Sequence, residues 1–90
     1  MKKSIITVIG GDKVGIIAKT TTFLAEADIN ILEITQNVVD GIFTMMMIVD
    51  VEKATLSFNE ISAGLKELGE SIEMEIHIQK EEIFTAMHRV

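Results

Sequence analysis

Chemistry has few places to start in this chain. Among its 90 residues there is no Cys, which removes thiol catalysis, disulfides and Cys-ligated zinc. The two histidines, His77 and His88, show neither HxH nor HxxxH spacing, so a metal site is not expected. No hydroxyl or carboxylate stands in a readable pairing with a base, and catalysis is the last of the functions to expect. One glycine-rich stretch remains, Gly10-Gly11-Asp12-Lys13-Val14-Gly15. It lacks the GxGxxG spacing of a dinucleotide loop and does not read as a phosphate cradle. Asp12 suits the N-cap of a following helix, since its carboxylate can accept the free N–H groups of the first turn. Asn30, after Asp28-Ile29, suits an Asx turn.

Those positions need elements to hold them. Lys3 to Ile9 is a run of β-branched and apolar residues, with Ile6 and Val8 facing one way and Ile5 and Ile9 the other. A helix is expected from about Val14 to Ala27, burying Ile17, Thr20, Thr21, Leu24 and Ala27. Ile31 to Val39 alternates Leu32, Ile34 and Val38 with Glu33, Thr35 and Asn37, the pattern of a half-solvated strand. Asp40-Gly41 is a two-residue hairpin signal, because both places must tolerate positive φ. The next strand, Ile42 to Val51, is apolar on both faces and reads as central. Ser57 and Glu60 form a capping box, followed by Phe58, Ile61, Leu65 and Leu68 at helical spacing, with Gly69 as the expected C-terminal cap. Ile72, Met74, Ile76 and Ile78 alternate with Glu73, Glu75, His77 and Gln79 in the last strand. Within residues 81–90, Ile83, Phe84, Met87 and Val90 share one face of a short C-terminal helix.

The order is β-α-β-β-α-β over a single domain, residues 1–90. Right-handed crossovers around the hairpin predict an α+β fold with an antiparallel sheet of order 4-1-3-2. Helices cover one face of such a sheet, and the other exposes Met and Ile. Together with a 48% hydrophobic content and a mean hydropathy of +0.37, this predicts a homodimer or a higher even oligomer. Net charge is −6 with one Arg, Arg89, and no Trp or Tyr, so nucleic acid and anionic lipid are not expected partners. The opening apolar run is too short for a signal-peptide core or a membrane span, and a cytoplasmic location is expected.

Topology alone hosts unrelated functions. An RNA-recognition module needs aromatics on its central strands, but the first strand has none and the third is built on methionines. A heavy-metal carrier needs its Cys pair, and an acylphosphatase-like enzyme needs an Arg in the first loop. Gly10-Gly11-Asp12-Lys13-Val14-Gly15-Ile16-Ile17, with Ala25-Glu26-Ala27-Asp28-Ile29-Asn30-Ile31, resembles the ACT domain, whose first loop reads D-x-x-G-[IVL] and whose second strand opens x-x-N-I. The ending Glu81 to Val90 is similar to that of short, free-standing bacterial and archaeal ACT proteins, themselves similar to the ACT repeats of the glycine cleavage system transcriptional repressor. The resemblance implies a ferredoxin-like βαββαβ sandwich and a non-catalytic regulatory protein that senses an amino acid or similar metabolite. The ligand site it implies comprises Gly11, Asp12, Val14, Gly15, Ile16 and Asn30, where the first loop of one domain meets the second strand of its neighbour. It calls for no cofactor. The loop departs from the family pattern in carrying Gly10, Gly11 and Lys13 where many such loops have His, Arg or Asn. The alternative is an interaction module that docks a regulatory protein and binds no metabolite.

Overall fold

A computed structural model of the chain describes residues 1–11 and 15–82. The elements follow in the order β1 (Lys3–Gly11), α1 (Ile16–Glu26), β2 (Asn30–Val39), β3 (Ile42–Asp50), α2 (Phe58–Ser71) and β4 (Glu75–Lys80). All neighbouring strands pair antiparallel in the order β2-β3-β1-β4, which is the expected 4-1-3-2. Helical backbone resumes at residues 81–82; the rest of the expected C-terminal helix lies outside the described residues.

The core forms between the sheet and one helix layer. Ile6 and Val8 of β1, Met45, Met47 and Val49 of β3, and Ile76 and Ile78 of β4 point into it, against Ile16 and Leu24 of α1 and Ile61 and Leu65 of α2. The methionines adapt to the gap between sheet and helices, as unbranched side chains do. The Asp40-Gly41 turn has φ of 53° and 76°, both positive as the hairpin requires.

Two helix ends differ from expectation. The N-cap of α1 is Gly15 rather than Asp12, and the helix begins at Ile16 rather than Val14. Gly15 has φ 87°, which a side chain would resist. The buried stripe shifts accordingly: Ile16, Thr20, Leu24 and Ala27 are buried, while Ile17 and Thr21 are half-buried. Thr20 is tolerated in the core because its hydroxyl donates to the Ile16 carbonyl at 2.8 Å. At the other helix the capping box is present, Ser57 Oγ accepting from Glu60 N–H at 3.1 Å and Glu60 accepting from Ser57 N–H at 2.8 Å. Gly69, however, does not cap α2. The helix runs on to Ser71, and Gly69 is buried where the chain returns: Met74 N–H donates to its carbonyl at 2.8 Å. A β-carbon at Gly69 would stand 2.5 Å from the Met74 carbonyl oxygen.

The edge strand β2 is more exposed than its alternation predicts. Only Ile31 is half-buried, and the register shifts between Ile31 and Glu33. Ile34, Gln36 and Val38 share a face with Met47, Met45 and Phe43, yet Ile34 is 41% and Val38 55% exposed. Two helices do not reach across all four strands, so the hairpin end of β2 projects beyond the layer.

Candidate functional site

The loop residues gather at one end of the sheet. Gly11 ends β1 and is exposed, and Gly15 caps the following helix and is exposed too. The first intrahelical bond runs from Lys19 N–H to the Gly15 carbonyl at 2.9 Å. The N–H groups of Ile16, Ile17 and Ala18 therefore lie ahead of the helical ladder, aimed out of the helix start. No acidic side chain occupies that first turn. Ile16 is itself 4% exposed, so its side chain belongs to the core and only its N–H faces the loop. Asp12 and Val14 lie outside the described residues.

Asn30 sits at the other end. It opens β2 opposite Asp50, and Asp50 pairs across β3 with Lys3, eight residues before Gly11 on β1. At about 3.3 Å per residue, Asn30 and Gly11 are separated by roughly 26 Å along the sheet. Within one chain they do not form one site. Asn30 reaches its place because Asp28, with φ 57°, ends α1: Asp28 N–H donates to the Ala25 carbonyl and Ile29 N–H to that of Leu24. The amide of Asn30 is exposed and makes no side-chain hydrogen bond among the described residues, so the Asx turn is not formed there.

Electrostatic structure concentrates beside Asn30. Asp50 Oδ1 accepts from Glu52 N–H at 3.0 Å and from Lys2 N–H at 3.2 Å. The bond from Glu52 contributes most to holding the Asp50 carboxyl below its ordinary 3.8. Near this end lies a cavity of about 610 Å³, floored by Val51, Ala54, Leu56 and Phe58 and rimmed by Lys3 and Lys80. A second, of about 390 Å³, follows β4 and α2. Neither is lined by Gly11, Gly15 or Asn30. Sequence patterning carries no signal for the first cavity, because its walls come from four separate elements. Among the described residues no group of three or more His, Asp or Glu could hold a metal, and no helix is long and apolar enough to cross a membrane.

Apolar surface collects on one edge. Leu32, Ile34, Val38 and Val39 of β2 and Ile42 beyond the turn are all at least 39% exposed, on a ten-residue strand whose outer backbone groups face no other strand. A long, sparsely charged edge of this kind is a template for another strand.

This architecture, two helices on one face of a β2-β3-β1-β4 sheet, places the molecule among the ferredoxin-like βαββαβ sandwiches. Within that class the ACT-domain model matches residues 3–79, and the chain belongs to the ACT-domain family. A UPF0237 protein of Bifidobacterium longum is 49% identical over 90 residues, covering all of both chains. The solved ACT domain protein from Streptococcus pneumoniae is 37% identical with a TM-score of 0.81, over 92% of this chain and 93% of that one. A putative glycine cleavage system transcriptional repressor superposes with a TM-score of 0.74 at 18% identity, over 88% of this chain and 45% of its own, a likeness of fold.

Proposed function

We propose that two copies of this chain sense an amino acid or similar small metabolite, without catalysis, in sites shared between them. ACT domains are a family of regulatory small-ligand-binding domains, and the reading starts from that membership. One observation carries it to these residues. The loop donors and Asn30 lie at opposite ends of one domain, and β2 between them is an exposed apolar edge. Antiparallel pairing of β2 with the same strand of a second copy, about a two-fold axis, exchanges the ends. Asn30 of one copy then lies at the same end of the joined sheet as Gly11 and Gly15 of the other, and symmetry makes two such sites. The N–H groups ahead of α1 would take the α-carboxylate, with partial positive charge from the helix end. The Asn30 carbonyl, and the Asp12 carboxylate in the loop, would accept from the ammonium group. Ile16 would take part through its backbone N–H, its side chain being buried in the core, and Val14 is a ligand contact only as the family resemblance implies it. The protein acts in the cytoplasm on this reading, where free amino acids are its signal.

The test is calorimetry of the twenty amino acids against the wild-type chain and Asn30→Ala. Binding of at least one, weakened about tenfold or more in Asn30→Ala without loss of thermal stability, is the expected result; a lost hydrogen bond of ~1.5 kcal/mol gives that factor. Equal affinity in the variant places the ligand elsewhere.

A second reading has its own observation. The apolar edge of Ile34, Val38, Val39 and Ile42 would serve equally to add a strand from a regulatory protein partner. Absence of any amino-acid binding at millimolar concentration favours that interaction module.

A further inference from the structure

We infer that the cavity beside the start of β1 is a separate binding site, which takes a small carboxylate with an apolar body. At about 610 Å³ it has the size of a small-molecule pocket. None of Gly11, Gly15 and Asn30 lines it, so it is distinct from the site proposed between two copies. Its floor is apolar. Val51, Ala54, Leu56 and Phe58 are half-buried there and pack on the core. Cations gather around that floor. Lys2, Lys3 and Lys80, three of the eight Lys and Arg in a chain of net charge −6, line the same cavity. None of the three has an ion-pair partner among the described residues. The Lys80 ammonium stands 5.5 Å from the centre of the Phe58 ring, at the apolar floor, and keeps N–H donors for an anion. Acids line the cavity as well, but Glu52 is already held by the Met1 ammonium at 2.6 Å. The unpaired lysines outnumber Glu81 and Glu82, which remain.

Ser4 supplies an independent observation. It lies on the helix side of the sheet, on the same face of β1 as Ile6 and Val8. Val49 and Lys80 flank it in register, and it lines the cavity together with Leu56 and Phe58. Its hydroxyl is buried and has no hydrogen-bond partner, alone among the buried polar side-chain atoms of the described residues. Thr20, the other buried hydroxyl, is bonded to the Ile16 carbonyl. An unpaired hydroxyl in a native interior is costly, and a ligand that completes it turns that cost into affinity. A carboxylate does so. One oxygen accepts from Ser4 Oγ–H and the other from the Lys80 ammonium, while the apolar body lies on Leu56 and Phe58. At the start of α2 the N–H groups of Ser57 and Glu60 are taken by the capping box. Few fixed donors are left, which suits one carboxylate better than a phosphate.

The probe is hexanoate, followed through backbone amide shifts of the isotope-labelled full chain, with hexanol and acetate as controls. Hexanoate at millimolar concentration should shift Ser4, Leu56 and Phe58 saturably, and each control should bind about threefold or more weakly. An amino acid in the shared site would instead shift Gly11, Gly15 and Asn30, so the two readings fail separately. Ser4→Ala should raise the melting temperature of the free chain, by removing the unpaired hydroxyl, and weaken hexanoate about threefold or more. Lys80→Gln should weaken hexanoate by a similar factor and leave hexanol unchanged. No binding, equal binding of hexanoate and hexanol, shifts confined to other residues, or wild-type affinity in either variant overturns the assignment.

Discussion

Asp50 is the single described side chain whose titration the fold clearly moves downward, and its cause is local. Two backbone N–H groups, of Glu52 and Lys2, point at one carboxylate oxygen and favour the charged form. A carboxyl depressed in the folded state adds stability above its unfolded value and loses it as pH falls through the folded value. Asp50→Asn should therefore melt below wild type at neutral pH, and the difference should close below about pH 4. A difference that stays constant from pH 7 to pH 2.5 would count against the bonds as drawn. Asn30 was legible in the sequence as a polar residue at a strand start, but its distance from Gly11 was not. That distance comes from the register of three strands, which no local motif encodes.

Glycines show how an element can be legible while its ends are not. The 3.6-residue period of Phe58, Ile61, Leu65 and Leu68 located α2, and Gly69 resembled a stop signal. The helix instead continues, because Gly69 lets the Met74 backbone approach within hydrogen-bonding distance. Two effects oppose each other on substitution. Alanine inside a helix gains roughly 0.5–1 kcal/mol over glycine, whereas forcing a β-carbon against a fixed carbonyl typically costs 1–3 kcal/mol. The clash is with backbone and should win. Gly69→Ala should lower stability by about 1 kcal/mol in denaturant unfolding, and a stabilised variant would mean that the turn into β4 yields. The same limit applies to α1, where Gly15 takes the cap expected of Asp12 because the turn there requires φ 87°.

At the scale of the whole molecule the exposed edge is the governing feature. Residues of β2 beyond Ile31 are exposed on both faces of the strand, and the apolar ones are too many and too close to be incidental. Ile34 lies near the middle of β2, so a two-fold strand pairing brings the two copies of that residue near each other. Ile34→Lys should then set two like charges together and dissociate the proposed dimer, with little effect on the fold, since Ile34 is already 41% exposed. Sedimentation velocity reads this directly, and an unchanged mass would exclude pairing through β2.

Alternation, helical period, the Asp40-Gly41 turn and the Ser57 capping box marked the six elements and their order, and the right-handed crossover rule then led from that order to the sheet's 4-1-3-2 arrangement. Each of those signals is local, arising from which side chains a pleat or a helix turn presents to water. The exposure of Ile34 and Val38, the close approach at Gly69 and the separation of Asn30 from the first loop were decided only in the tertiary structure. They depend on how far two helices extend across four strands and on which strand ends coincide. Those are relations between segments tens of residues apart, and residue type at one position does not carry them.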